Sequence, residues 1–406
     1  MRILLITDNH TPTGGAEKTF FELKARLQAI PTNTVFSLGF GPQAMQTNDA
    51  LILKQNRTKP AKLLWQCLFH LPTYLKIKHI LKTFKPDVIH LHNMKQYTPT
   101  VLRAIKGYPV VHTTHDFSLI CPTAQNIHRD LTPCKTGYTR ECAQAHQVKF
   151  KRPLYWVMLG LFLKRRQLAR ATIHAYLAPS PLLTHYLMNA GFTPAYPVLP
   201  FLPPTQPASP SIHPEAFLFA GNLGDHKGCT LLLQAFARAH ATQPTLMLYV
   251  AGQGPLENSL KTFVTQSHLE KNVIFLGWQT NITPWVQHCA AVIFPSIGLE
   301  SFGLVMTDAM SQARPLIASR RGTCEWLIDD GKTGLLFDPL TPDDLAQKIL
   351  YLASHPEEAI AMGQAGQVKL DQMIDNETAL TQTMAVYREV MLKHPPQANQ
   401  TPEAAV

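Results

Sequence analysis

Glu300 and Asp308 stand eight residues apart across a change of periodicity, and their types and spacing are the first chemistry legible in the chain. The apolar run Ala291-Val292-Ile293-Phe294 stops at Pro295, and a helix-period segment begins near Phe302 and Gly303. A strand, a short loop and a helix are predicted. Glu300 then falls just outside the helix, Gly303 lies where backbone can approach a ligand, and the first amide N–H groups form an anion site. Asp308 follows Leu304 by four residues, one turn in, on the face of that first turn. Carboxylates repel phosphate but accept hydrogen bonds from hydroxyls. The pattern therefore suits a ligand carrying phosphate between two hydroxyl-rich groups, against the plainer alternative of a solvated helix start with two surface acids.

The elements that would position these groups repeat one theme. Met1-Arg2-Ile3-Leu4-Leu5-Ile6-Thr7 is too short for a secretory signal and reads as a buried first strand. It leads into Gly14-Gly15 and an amphipathic helix containing Phe20, Phe21, Leu23 and Leu27, a possible ligand cradle. Asp87-Val88-Ile89-His90-Leu91-His92-Asn93 and Pro109-Val110-Val111-His112-Thr113-Thr114-His115-Asp116-Phe117 are buried strands with polar ends. In an open parallel sheet, ligands gather beyond the carboxyl ends of the strands, where His92, Asn93, His115 and Asp116 are expected. For most of the 18 histidines the expectation is a solvated or hydrogen-bonded side chain.

A chain of 406 residues with 45% hydrophobic content suffices for two domains with full cores. A formal charge of +10 and a pI near 9.2 point to anionic partners: nucleotide phosphates, a membrane surface or nucleic acid. No nucleic-acid recognition module accompanies that charge. Seven cysteines without a compact framework argue for reduced thiols in the cytosol. Prolines crowd 197–214, which marks an interdomain linker.

The segment around Glu300 resembles the E-x7-E signature of retaining glycosyltransferases of the GT-B fold, most closely glycosyltransferase family 4, with Asp308 in the second acidic place. Phe217-Leu218-Phe219-Ala220-Gly221-Asn222-Leu223-Gly224-Asp225-His226-Lys227-Gly228 resembles the family's G-R-L-x3-K-G loop, with Asn222 in place of the arginine. Arg320 or Arg321 is a candidate to substitute for it. Leu246 to Leu256 resembles the strand and G-x-G-P-L turn, and His115-Asp116 resembles the family's histidine motif.

The resemblance covers nearly the whole chain. It implies an α/β protein of two Rossmann-like domains, with parallel sheets facing a central cleft: residues 1–196, the linker 197–214, and residues 215–375 holding the nucleotide sugar. A helix at 376–394 would cross back to the first domain, followed by a disordered tail at 395–406. The implied activity is transfer of a hexose from a nucleotide-diphosphate sugar to a saccharide or lipid-linked acceptor, in cell-envelope polysaccharide or glycolipid synthesis. It also implies roles. Gly221, Asn222, Lys227, Glu300, Ser301, Phe302, Gly303, Leu304 and Asp308 would bind the donor. Gly14, Gly15, His92, Asn93 and Asp116 would lie on the acceptor side. His115, Glu300 and Lys227 would serve catalysis, with Glu300 not a covalent nucleophile. No D-x-D motif is present, so no metal or cofactor is expected; Lys227 and the helix start near Gly303 would stabilise the leaving diphosphate. A weakened homologue that only binds nucleotide or sugar is the alternative, since Asn222 and Asp308 both depart from the pattern.

Two stretches stand outside these motifs. Cys121, Cys134 and Cys142 with His128 and His146 could bind zinc, but lack a C-x2-C pair, so free thiols are expected. Pro153 to Leu163 is largely apolar and flanked by Lys149, Lys151, Arg152, Lys164, Arg165, Arg166 and Arg170. Eleven such residues cannot span a bilayer, which needs about 20. They read either as a segment lying on the inner face of the plasma membrane or as a core helix with a basic end.

Overall fold

The structure, a computed structural model, describes residues 1–11, 14–41, 49–54, 69–94, 98–121, 124–128, 132, 134, 152–202, 204–205, 212–373 and 375–396. Along the chain these form β1 (Arg2–Thr7), α1 (Gly15–Gln28), β2 (Thr34–Gly41), β3 (Ala50–Lys54), α2 (Leu71–Phe84), β4 (Val88–His92), α3 (Thr98–Ala104) and β5 (Val110–Thr113). A 3-10 turn at Phe117–Leu119 precedes α4 (Arg152–Thr172), β6 (Ala175–Ala178), α5 (Pro181–Asn189) and β7 (Ala195–Pro197). Then come β8 (His213–Ala220), a 3-10 turn at Asp225–Lys227, α6 (Cys229–Thr242), β9 (Met247–Ala251), α7 (Glu257–Gln266), β10 (Val273–Gly277), α8 (Thr283–His288) and β11 (Cys289–Phe294). The chain closes with α9 (Leu304–Ser311), β12 (Leu316–Ser319), α10 (Cys324–Leu327), β13 (Gly334–Phe337), α11 (Pro342–Ser354), α12 (Pro356–Met373) and α13 (Asn376–Lys393).

Two compact units result. The first comprises Met1–Ala124, Lys135–Phe201 and Asn376–Val406; the second comprises Gln125–Cys134 and Leu202–Asp375. In the first, seven parallel strands run in the order β3-β2-β1-β4-β5-β6-β7. The chain winds one way from β1 and then the other from β4, so the switch point lies between them, where such sheets bind ligands. Every residue of β4 is buried, which is why Val88-Ile89-His90-Leu91-His92 lacks polar alternation. Ile3, Leu5, Phe20, Leu27, Val88 and Val111 pack with Met384, Tyr387 and Val390 of α13, so the last helix completes this core.

The second unit repeats the plan with six parallel strands in the order β10-β9-β8-β11-β12-β13. Its switch point falls between β8 and β11, the strands that precede the Lys227 turn and the Glu300 loop. Phe217, Phe219, Phe236, Ile293, Ile317 and Phe337 form the centre of its core.

Three details differ from the sequence boundaries. Residues 125–134 cluster with the second unit, because the Leu299 N–H donates to Gln125 O (3.2 Å). Strand β8 starts inside the expected linker; Pro214 is tolerated at its exposed end, and β9 pairing begins at Ala216. A helical periodicity that the sequence carries from Gln367 to Lys393 is divided between α12 and α13. The expected tail beyond residue 396 lies outside the described residues.

Candidate functional site

In the second unit, adjacent strands β8 and β11 each deliver a loop and a helix N-terminus to the carboxyl edge of the sheet. Gly228 caps α6 with φ of +68°, and a Cβ there would lie 1.9 Å from Pro295 O. Only glycine permits both that conformation and that approach, so it holds the two loops together. The carbonyl of His226 accepts hydrogen bonds from the N–H groups of Ile297 (2.9 Å) and Gly298 (3.0 Å), a second link.

Those links bring Lys227 to Glu300. Lys227 Nζ donates to Glu300 Oε1 at 2.7 Å, and Ser296 Oγ donates to the same oxygen at 2.7 Å. The ammonium also lies over the Phe294 ring, 5.4 Å from its centroid. Glu300's backbone is fixed as well, its carbonyl accepting from Thr323 Oγ1 at 2.7 Å. Burial pushes the Glu300 carboxyl up; the Lys227 ammonium, hydrogen bonds from Lys227 and Ser296, and His226 pull it down and prevail, leaving it below the ordinary 4.5. Glu300 is thus a fixed carboxylate acceptor beside a cation, next to two helix N-termini that favour anions.

The remaining donor-side residues divide. Gly303 caps α9 with φ of +88°, Leu304 opens the helix, and Asp308 lies in its second turn, half-buried. Ser301 is half-buried and Phe302 buried, its ring 6.3 Å from that of Trp326. Gly221 and Asn222 follow β8, where exposed Asn222 donates through Nδ2 to Gln253 O (3.1 Å). Neither candidate substitute cation joins Glu300: Arg320 is exposed and pairs with Asp330, and buried Arg321 donates to Ile297 O at 2.7 Å. Arg321 instead supports the loop from beneath. Sequence reasoning missed Ser296 and Thr323, whose hydroxyls anchor Glu300; a hydroxyl four residues before an acid in a loop carries no periodic signal.

In the first unit, His92 ends β4 and His115 lies two residues beyond β5. The register pairs His92 with Thr113, and the turn after β5 brings His115 Nε2 to 3.0 Å from His92 Nδ1. Asn93 adopts φ of +46°, and Asp116 accepts from Ser118 N (2.8 Å), capping the 3-10 turn. Gly14 precedes α1 as its cap and Gly15 opens the helix. Several histidines here are buried and hydrogen-bonded. His90 contacts Tyr387 OH (2.6 Å) and Thr113 Oγ1 (2.7 Å), His112 contacts Thr114 Oγ1 (2.9 Å), and His10 contacts Ser37 Oγ (3.1 Å).

The cysteine-bearing stretch is described in part. Cys121 and Cys134 are buried and outside any disulfide, and the Asn126 side chain donates to Cys134 O at 2.9 Å. Cys142 and His146 lie outside the described residues, among which no group of three metal-ligating side chains converges.

Comparison with known proteins gives two family matches that divide the chain. A model described as Glycosyltransferase Family 4 matches residues 13–198, and one described as Glycosyl transferases group 1 matches residues 207–369. The resemblance read from the motifs therefore holds over both halves. D-rhamnosyltransferase WbpZ of Pseudomonas aeruginosa is 30% identical over 164 residues, 39% of this chain and 42% of that protein. D-inositol 3-phosphate glycosyltransferase of Pseudarthrobacter chlorophenolicus is 30% identical over 183 residues, 44% of this chain and 43% of that protein. The matched stretches span less than half the length of these curated relatives. Among solved structures, Anabaena HepE in complex with UDP-glucose superposes with a TM-score of 0.70 at 18% identity, covering 96% of this chain and all of that one. Sucrose-phosphate synthase of Thermosynechococcus elongatus gives 0.71 at 17% identity, covering 97% and 100%. The fold is GT-B.

Proposed function

From a chain that resembles glycosyltransferase family 4 over both its halves, we propose a retaining glycosyltransferase that moves a sugar from a nucleotide-diphosphate sugar to a saccharide or lipid-linked acceptor of the cell envelope. The observation that carries this reading is the Glu300 carboxylate held by Lys227 and Ser296 beside two helix N-termini. Lys227 and the amides near Gly303 would stabilise charge developing on the departing diphosphate, and Glu300 would orient the donor's hydroxyls. Asp308, one methylene shorter than the glutamate of the family pattern, would accept from the ribose. No metal is required in this scheme.

Thermal unfolding with UDP, GDP and ADP, with and without magnesium, tests the reading, because a ligand of the native state raises the melting temperature. UDP is the first candidate, since the superposed HepE structures are complexes with UDP and with UDP-glucose. A metal-independent rise with one nucleotide, lost in Glu300→Gln, supports the donor site; no rise with any of the three overturns it. A binding homologue without efficient transfer is the second reading, favoured by Asn222 engaging Gln253 O where the family has a cation. Donor binding with neither transfer nor hydrolysis would select it.

The proposed acceptor is consistent with an anionic membrane surface as a partner of the first unit. Residues 1–200 hold 25 Lys and Arg against 8 Asp and Glu, while residues 201–406 hold 12 against 19. That asymmetry supports the first half as the lipid-facing one. On α4, Trp156 and Val157 are 52% and 59% exposed; on α2, Leu71 and Leu75 are 54% and 57% exposed beside Lys76 and Lys78. The helix cations contribute less than expected: Arg165 donates to Ser118 O, and Arg166 is buried with its guanidinium near Phe162 and Phe192. No helix among the described residues is long and apolar enough to cross a membrane.

A further inference from the structure

We propose that His226 is a donor-site residue that becomes an imidazolium when a nucleotide diphosphate binds, and so contributes the second cation there. The inference rests on the glycosyltransferase reading and uses residues of the second unit alone.

Charge balance motivates it. Lys227 is paired with Glu300 at 2.7 Å, so the two together bring no net charge to an anionic ligand. Arg320 pairs with Asp330 and Arg321 donates to Ile297 O, so neither supplies the missing charge. A diphosphate taken from water into this site calls for a further positive group besides the helix N-termini. His226 is placed to provide it. Its carbonyl ties the 3-10 turn to the Glu300 loop through the N–H groups of Ile297 and Gly298, and a Cβ at Gly298 would stand 3.5 Å from the His226 Cβ. The ring lies back over Gly224. A Cβ there would meet His226 Cε1 at 3.0 Å and Nδ1 at 3.1 Å, with Asn222 Oδ1 at 2.9 Å from the same point. The bare Gly224 thus brings the half-buried imidazole to Asn222, the residue that stands where the family pattern has its arginine.

The charged groups acting on the ring are Lys227 and Asp225 of its own turn and Glu300 of the neighbouring loop; Gln125, which also approaches Gly298, is uncharged. Burial first, and then Lys227, hold His226 below 6.5 against Glu300 and Asp225, so the free protein carries it mostly neutral at pH 7.5. A diphosphate beside the ring reverses that balance, and the site gains a proton with its ligand.

Isothermal titration calorimetry with UDP-glucose, GDP-mannose and ADP-glucose tests this, run at pH 6 and pH 8 and in buffers of different ionisation enthalpy to read proton uptake. The diesterified phosphates of these ligands do not titrate in that range, so the uptake belongs to the protein. The expected result is net proton uptake on binding and an affinity about fivefold higher at pH 6 than at pH 8. His226→Gln should abolish both effects. His226→Lys, a permanent cation, should bind at pH 8 about as tightly as the wild type does at pH 6, without uptake. Binding by the wild type without uptake overturns the proposal, and so does uptake that survives in His226→Gln. Binding of none of the three ligands overturns the donor-site reading itself, which binding without uptake leaves standing.

Discussion

Lys227 Nζ lies 2.7 Å from Glu300 Oε1, so the cation following one strand of the second sheet is neutralised by the acid following its neighbour. The pair is mostly buried, with 21% and 14% of the two side chains exposed. Lys227→Met would leave the carboxylate with Ser296 as its remaining side-chain donor. Breaking a buried pair on one side costs about 3 kcal/mol, so the urea midpoint should drop and nucleotide stabilisation vanish. An unchanged midpoint would mean that the pair contributes nothing in solution.

Gly228→Ala places a methyl group 1.9 Å from Pro295 O and forces a side chain into φ of +68°. The loops after β8 and β11 must separate. The expected result is a folded protein weakened by about 2 kcal/mol or more, with loss of nucleotide binding as large as in Lys227→Met. Retained nucleotide affinity would show that the two loops do not form one site.

Acid should destabilise the first unit. Burial pushes His112 down to about 3, and it holds His90 and His92 well below 6.5. The unfolded chain takes up these protons below about 6.5 while the folded chain refuses them. Stability is therefore complete above 6.5 and declines as pH falls towards the folded values, by up to about 1.4 kcal/mol per histidine per pH unit. Melting temperatures at pH 7, 6 and 5 should fall progressively, less steeply in His112→Gln. A flat profile from 7 to 5 contradicts the buried neutral state.

Flotation with vesicles containing anionic lipid addresses the membrane surface. The wild type should float at low salt and less at high salt, since exposed cations are screened. Trp156→Ser combined with Leu75→Ser should keep the protein in the soluble fraction without changing its melting temperature by more than about 0.5 kcal/mol equivalent, as expected of exposed sites. Wild type that never floats rules the surface out.

How much of this was legible in the sequence depended on whether the signal was local. Glu300, Lys227 and Gly228 stand at strand-loop-helix junctions, and such junctions are written in periodicity and glycine placement. The polar ends of β4 and β5 were visible for the same reason. Thr323 was not, because its hydroxyl matters only once the loop after β11 and the start of α10 are brought together, and Ser296 was not, because a hydroxyl four residues before an acid in a loop has no periodic signal. Which histidines meet is set by register: His92 pairs with Thr113, and only the turn beyond β5 returns His115 to it. The departure of residues 125–134 to the second unit has no sequence mark either, since one backbone hydrogen bond between Leu299 and Gln125 helps hold it.

Tyr387 belongs to α13, is fully buried, and closes a hydrogen bond to His90 nearly three hundred residues earlier. A ribosome releases β1 to β7 long before it makes that helix. The first unit is thus begun first and finished last, while most of the second, Leu202–Asp375, is made in between. Until α13 emerges, the groove over Phe20, Leu27 and Val88 lacks its cover, and the nascent protein carries an open apolar seam for the duration of synthesis.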